Sequence, residues 1–236
     1  RNVAKEPEVV DLANFLNSIG AKVTGAGTDE IVIEGVKDLQ ESNFTIPADR
    51  IEAGTYLIAA AITYGNVTIK NIDSSRMNNI TDHLKLSGAA ISIKENEISL
   101  DMEKSSLAPV DISTAPFPGF PTDMQAQYTV LNSLSPGSSV VSENVFENRF
   151  MHVQELNRMG CDIDVRGSNA FIKGVNKLTG APVMATDLRA SASLILAGLC
   201  AEGETVVDRI YHIDRGYERI EEKLSYLGAN ITRVPN

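Results

Sequence analysis

One feature constrains this chain more than any other: it repeats. The strings LNSIGAKVTG, LKLSGAAISI, LNRMGCDIDV and LSYLGANITR each carry Leu-x-x-x-Gly, a small residue and then an alternating run. Their glycines, Gly20, Gly88, Gly160 and Gly228, lie 68, 72 and 68 residues apart, a regularity that marks a tandem array. Each Gly falls at the end of a helical pattern, where a left-handed cap suits a residue without a side chain. The alternation that follows predicts strands joined by tight turns.

A second unit recurs between these copies, opening at Asp49, Asp123 and Asp187 and ending near Gly65, Gly137 and Gly203 before a Val/Ile/Thr run. An aspartate at a helix start accepts from free backbone N–H groups and favours the positive end of the helix dipole. One repeat therefore reads βαβαββ, and three full copies are expected from about residue 48 onward. The fold class is α/β (α+β). Residues 1–47 read as the last half-repeat of another domain, mostly absent, and residues 48–236 as a three-repeat domain, with Pro47 at the crossing. The chain opens at Arg1 rather than Met, and the half-repeat predicts a further N-terminal portion of the same protein as its structural partner.

Charge and composition exclude several classes. A formal net charge of −10 disfavours nucleic acid and anionic membrane surfaces. The longest apolar-rich stretch, Ala190 to Ala201, is too short to span a bilayer and is interrupted by serines. Cys161 and Cys200 do not form a disulfide framework or a CxxC pair, and read as reduced thiols of a cytoplasmic protein. His83, His152 and His212 lie in separate repeats without metal-ligand spacing, so no metal is expected. Dinucleotide, P-loop and serine-hydrolase motifs are absent from the sequence.

The second copy departs from its siblings. In TAPFPGFPTDMQAQ three prolines stiffen the approach to Asp123, which can either cap its helix or reach a ligand hydroxyl as a base. The loop ENVFENRFMHV gathers Asn144, Glu147, Asn148, Arg149 and His152 among Phe146 and Phe150, more bonding groups than a connector needs. Arg149 reads either as a solvated surface residue or as part of an anion site. Arg189, Arg209, Arg215 and Arg219 in the third copy offer planar groups that match phosphate and carboxylate, although Arg219 with Glu221 or Glu222 reads more simply as an exposed helix pair.

The strings PTDMQAQ, VFENRFMHV, ATDLRASASL and DRIYHIDRGYERIEEKL, in this order, resemble the UDP-N-acetylglucosamine enolpyruvyl transferases, which act at the first committed step of peptidoglycan synthesis. The sister shikimate-pathway transferases share the repeated fold but are not expected to carry DMQAQ or FENRFMH. The resemblance implies an inside-out α/β fold of two three-repeat domains with substrates in the cleft. It implies that phosphoenolpyruvate gives its enolpyruvyl group to the sugar 3-hydroxyl and that no cofactor takes part. By this correspondence Asp123 is the proposed base, Thr122 lines the sugar pocket and Val145 holds the sugar nucleotide through its backbone. Arg149, Arg189 and Arg215 serve the phosphoenolpyruvate side, with Asp187 close to the reacting carbon. The implied catalytic set is Asp123, Asp187 and Arg215. The family's Lys-Asn pair, its glycine-rich loop with a reactive cysteine and its uridine-binding residues belong upstream of Arg1, so the chain alone is expected to turn over negligibly. Another acceptor, such as shikimate phosphate, or an inactive binding relative are the competing readings.

Overall fold

The computed structural model describes residues 1–234. The opening segment forms α1 (Pro7–Ser18), with a proline in its first turn where no N–H is needed, and a hairpin of β1 (Lys22–Thr24) and β2 (Val32–Glu34). Residues 35–49 carry neither helix nor strand. The first copy follows with α2 (Arg50–Ile62), β3 (Asn66–Lys70), α3 (Asn78–Leu86), β4 (Ala90–Lys94) and β5 (Glu97–Asp101). The second comprises β6 (Ile112–Ser113), α4 (Gln125–Ser133), β7 (Ser138–Ser142), α5 (His152–Arg158), β8 (Asp162–Arg166) and β9 (Asn169–Lys173). The third has β10 (Leu178–Thr179), β11 (Pro182–Met184), α6 (Leu188–Cys200), β12 (Ala201–Glu202), β13 (Val206–Asp208) and α7 (Ile220–Tyr226).

Among the described residues only the second copy builds the whole βαβαββ unit, as the sheet β6-β7-β9-β8 with β6 parallel to β7 and the remaining pairs antiparallel. The first copy makes β3-β5-β4 alone, all antiparallel. Its expected opening strand does not form, and Pro47 in that stretch has no N–H to give to a ladder. The third copy pairs β10 with β12 and β11 with β13 in parallel, and residues 227–234 form no strand. Among the described residues the three expected copies are one whole unit and two shorter ones.

The helices lie inside and the sheets outside. Helices α2, α4 and α6 touch one another, and every residue of α4 is buried. Close approach is possible because α2 and α6 are rich in Ala, Gly and Ser: a Cβ at Gly54 would come within 2.9 Å of Met124. The buried Ser and Thr hydroxyls on these helices are satisfied within the helix, as in Thr129 to Gln125 O (3.0 Å) and Ser133 to Thr129 O (2.8 Å). The sheets alternate as half-buried strands should: Ala170 and Ile172 of β9 point in, Phe171 and Lys173 out.

The four repeat glycines adopt nearly one conformation, with φ of +95°, +98°, +96° and +99°. At Gly88 an added Cβ would also stand 2.2 Å from the Ser106 carbonyl oxygen, so both conformation and space exclude a side chain. Asn17 and Asn157, one helical turn earlier, clamp the next strand in the same way. Each side chain donates to and accepts from the backbone of Val23 or Ile163 respectively, at 2.8 to 3.2 Å.

The opening segment docks through carboxylates on α1 and just before it. Glu8 pairs with the buried Arg50 (2.8 and 3.3 Å), Asp11 with Arg76 (2.6 Å), and Glu6 accepts from the Phe117 N–H (3.3 Å). Its own apolar residues remain largely uncovered: Leu12, Ile33, Leu39 and Ile46 are exposed.

Candidate active site

The three aspartates at equivalent helix starts are used in two ways. Asp49 is the N-cap of α2, accepting from Ile51 N (2.7 Å) and Glu52 N (3.2 Å). Asp187 is the N-cap of α6, accepting from Arg189 N and Ala190 N, both at 2.9 Å. Asp123 caps nothing. It sits inside a 3₁₀ turn (Thr122–Met124) that precedes α4, and its carboxylate instead meets two guanidinium groups. Arg149 Nη2 donates to one oxygen at 2.7 Å and Arg189 Nε to the other at 3.4 Å. Of the two roles open to Asp123, the helix cap is therefore not the one it fills.

These contacts converge residues from all three copies. Arg189, at the start of α6, donates from Nη2 to Asp49 Oδ2 (3.2 Å) while Nε faces Asp123, so one guanidinium ties the three helix starts together. Burial works against its charge. Tyr217, whose ring lies 5.2 Å below the guanidinium, and the carboxylates of Asp49 and Asp123 outweigh that and hold Arg189 above its ordinary pKa. Its Nη1 is buried without a partner among the described residues.

Arg149 is largely buried rather than surface-solvated. Its Nη1 donates to Thr122 Oγ1 (2.6 Å) and its guanidinium lies 4.9 Å from the Phe146 ring. Thr122 in turn donates to Glu143 Oε2 (2.8 Å). Glu143, at the end of β7, is the residue that motif reading passed over. Fully buried, it accepts four bonds: from the Thr122 and Thr114 hydroxyls and from the N–H groups of Val145 and Phe146, the last three at 2.9 to 3.0 Å. It fixes the loop that carries Arg149 to the turn that carries Asp123. The Val145 N–H is thereby taken, which leaves its carbonyl as the backbone group that can meet a ligand.

Arg215 stands apart from the bonded cluster. It is exposed and, among the described residues, makes no ion pair. Its neighbour Gly216 is packed so closely on Leu188, the first residue of α6, that a Cβ would lie 2.9 Å from that side chain. Arg209 is exposed, and Arg219 pairs with Glu222 (3.3 Å) on the surface of α7, as the simpler reading had it.

His152, three residues after Arg149, is fully buried and neither ring nitrogen has a partner among the described residues. Burial drives its pKa down to about 4, opposed by Asp187 and reinforced by Arg149, so the ring is neutral at physiological pH. Burial pushes the Cys161 thiol up to about 11 and that of Cys200 up to about 12, and neither is a nucleophile at neutral pH. Among the described residues no group of His, Cys, Asp and Glu is arranged to hold a metal ion, and no helix is long and apolar enough to cross a membrane.

Helices packed inside three sheet-bearing copies, with carboxylates and guanidinium groups gathered at their starts, define the class as an inside-out α/β repeat fold. The chain belongs to the EPSP synthase (3-phosphoshikimate 1-carboxyvinyltransferase) family, whose model matches residues 1–224. It is 60% identical over 233 residues to a UDP-N-acetylglucosamine 1-carboxyvinyltransferase of Coxiella burnetii, covering 99% of this chain and 54% of that protein. The protein of the same name from Hydrogenovibrio crunogenus is 60% identical over 234 residues, covering 99% and 56%. The chain thus spans about half the length of the curated relatives it matches. Among solved structures, the enolpyruvyl transferase NikO from Streptomyces tendae superposes with a TM-score of 0.84 at 28% identity, covering 98% of this chain and 55% of that one. EPSP synthase from Acinetobacter baumannii superposes at 0.68 and 17% identity, covering 93% and 54%, a likeness of fold.

Proposed function

We propose that the protein containing this chain transfers the enolpyruvyl group of phosphoenolpyruvate to the 3-hydroxyl of UDP-N-acetylglucosamine, releasing phosphate, and that this chain supplies the acceptor-activating half of the site. The observation that carries the reading is the freedom of Asp123. Alone among three equivalent aspartates it leaves the helix cap and offers a carboxylate that is still 38% exposed in the side chain. The acceptor 3-hydroxyl gives its proton to Asp123 while its oxygen bonds to C2 of the donor, and the donor methylene gains a proton. Loss of that proton and of phosphate from the tetrahedral adduct then restores the double bond in the product. Preorganised positive charge is the largest aid the protein can give here. Arg149, Arg189 and Arg215 supply it on the donor side.

Asp187 spends one oxygen on its helix cap and turns the other to the reacting carbon. Thr122 and the Val145 carbonyl border the sugar. The 60% identity to two proteins named for this acceptor supports it over shikimate phosphate, which the family description and the 17% identical EPSP synthase would suggest. Such chemistry belongs in the cytoplasm, where the free thiols of Cys161 and Cys200 are at home. Calorimetry on the full-length protein separates the acceptors. UDP-N-acetylglucosamine is expected to bind and to support phosphate release from phosphoenolpyruvate; binding of shikimate phosphate instead would overturn the assignment.

A further inference from the structure

We infer that Arg233, in the segment after α7, is a positioning residue for Arg215: it clamps Asp214 to Glu221 of α7 and so fixes the turn on which Arg215 meets an anionic donor. The inference rests on the reading of Arg215 as a donor-side arginine.

Between β13 and α7 the chain makes a 3₁₀ turn (Ile210–His212) and then a second turn, in which the Gly216 and Tyr217 N–H groups both donate to Ile213 O (3.1 and 3.0 Å). Two left-handed residues, Arg209 (φ +59°) and Arg219 (φ +47°), bracket the segment. Arg215 sits in the second turn. Its inward side is well held: Ile213 and Tyr217 are buried, the Tyr217 hydroxyl lies 3.0 Å from Thr55 Oγ1 and 3.3 Å from Gln127 Nε2, and Gly216 is packed on Leu188. The outward side has a single tie. Of the exposed residues Arg209, Tyr211, Asp214, Arg215 and Glu218, only Asp214 has a side-chain hydrogen bond among the described residues, and its partner is Arg233. The Arg233 guanidinium is gripped on two edges. Nη1 and Nη2 donate to the two oxygens of Asp214 (3.0 and 2.6 Å), and Nε and Nη2 to the two of Glu221 (2.8 and 3.1 Å). Two forked pairs on one planar group fix direction as well as distance, unlike a lone exposed pair between flexible side chains. Glu221 is the firm end, because it lies in the first turn of α7, whose Ile220 and Leu224 are buried in the core, and its own side chain is 16% exposed. The same bonds hold both carboxylates below their ordinary pKa, so the clamp is charged at neutral pH. Position is thus handed from α7 through Glu221 and Arg233 to Asp214, the residue next to Arg215. The Arg215 guanidinium, unpaired among the described residues, is left for the donor while its backbone is pinned on both sides.

The test uses the full-length protein with Arg233→Ala, Asp214→Asn and the double variant, read by amide hydrogen exchange and by steady-state kinetics. Arg233→Ala is expected to speed exchange of the 213–217 amides about ten-fold while those of α4 stay protected. It is expected to lower kcat/KM for phosphoenolpyruvate about ten-fold with the UDP-N-acetylglucosamine KM within about two-fold. Asp214→Asn is expected to show the same donor-selective defect, and the double variant to be no worse than Arg233→Ala, because both substitutions open one clamp. Unchanged exchange at 213–217 in Arg233→Ala would overturn the inference. So would a donor kcat/KM that holds, or defects of equal size toward both substrates, the pattern of general loosening. Losses that add in the double variant would show Arg233 acting elsewhere than through Asp214, and would overturn it too. If Arg233→Ala does not fold, Asp214→Asn keeps the shape of the side chain and decides alone: wild-type exchange and wild-type donor kinetics in that variant sink the clamp. The exchange readout needs no substrate. A wild-type protein that releases no phosphate would therefore refute the proposed function and leave this inference to be judged by the exchange rates.

Discussion

Asp49 and Asp187 on one side and Asp123 on the other occupy the same place in three copies of one unit, and they part company within a single residue of backbone. The first two sit in extended conformation immediately before α2 and α6, at φ −74°, ψ 111° and φ −150°, ψ 174°, which aims each carboxylate back at the open N–H groups. Asp123 sits one step inside a 3₁₀ turn that follows Pro121, and that step swings its carboxylate away from α4 toward Arg149 and Arg189. A repeat thus provides the position, and the local approach to it decides between holding the fold and meeting a ligand.

The contrast breaks most visibly at Asp123 itself. Asp123→Asn in the full-length protein is expected to lower kcat by about 10² to 10⁴, the range for a lost general base, while its denaturation midpoint stays near wild type. Activity within a few-fold of wild type would return Asp123 to a structural role. Next in size is His152, between Arg149 and the cap of α6. Its pKa is about 4 folded against 6.5 free, so only the unfolded chain takes up the proton as pH falls below 6.5. Stability is therefore full above pH 6.5 and declines toward pH 4, by about 3 kcal/mol in all. Urea titrations across that window are expected to lose this slope in His152→Leu, and an unaltered slope would assign it to other groups. Asp49→Ala removes a cap and is expected to cost about 1 kcal/mol in denaturant unfolding, a stability effect where Asp123→Asn has a kinetic one. The smallest effect belongs to Arg219→Ala, whose pair with Glu222 is exposed, and whose unfolding free energy is expected to change by less than about 0.5 kcal/mol.

The copies, the glycine caps and the helix starts were legible because each leaves a local signature: a fixed period, a left-handed glycine, an acid before an apolar run. That is why Gly20, Gly88, Gly160 and Gly228 fall where the pattern puts them, and why Asp49 and Asp187 cap as expected. Glu143 left no such mark. A lone carboxylate at a strand end reads as solvated, and only the folded chain reveals that two threonines from distant stretches and two backbone N–H groups surround it. Tyr217 was hidden for the same reason, because its partners are 162 and 90 residues away. The burial of Arg149 was likewise beyond reach of composition, since it depends on Glu143 folding the loop back. The missing opening strand of the first copy follows from a detail that a repeat consensus averages away, Pro47.

In an ordinary repeat array each unit touches only the next, so stability accrues along a line and the ends loosen first. Here the inner helices meet in a ring, the first touching the third as well as the second. Such closure leaves no terminal unit to fray by itself: the three are expected to melt in one transition, and damage at any helix start should be felt at the other two.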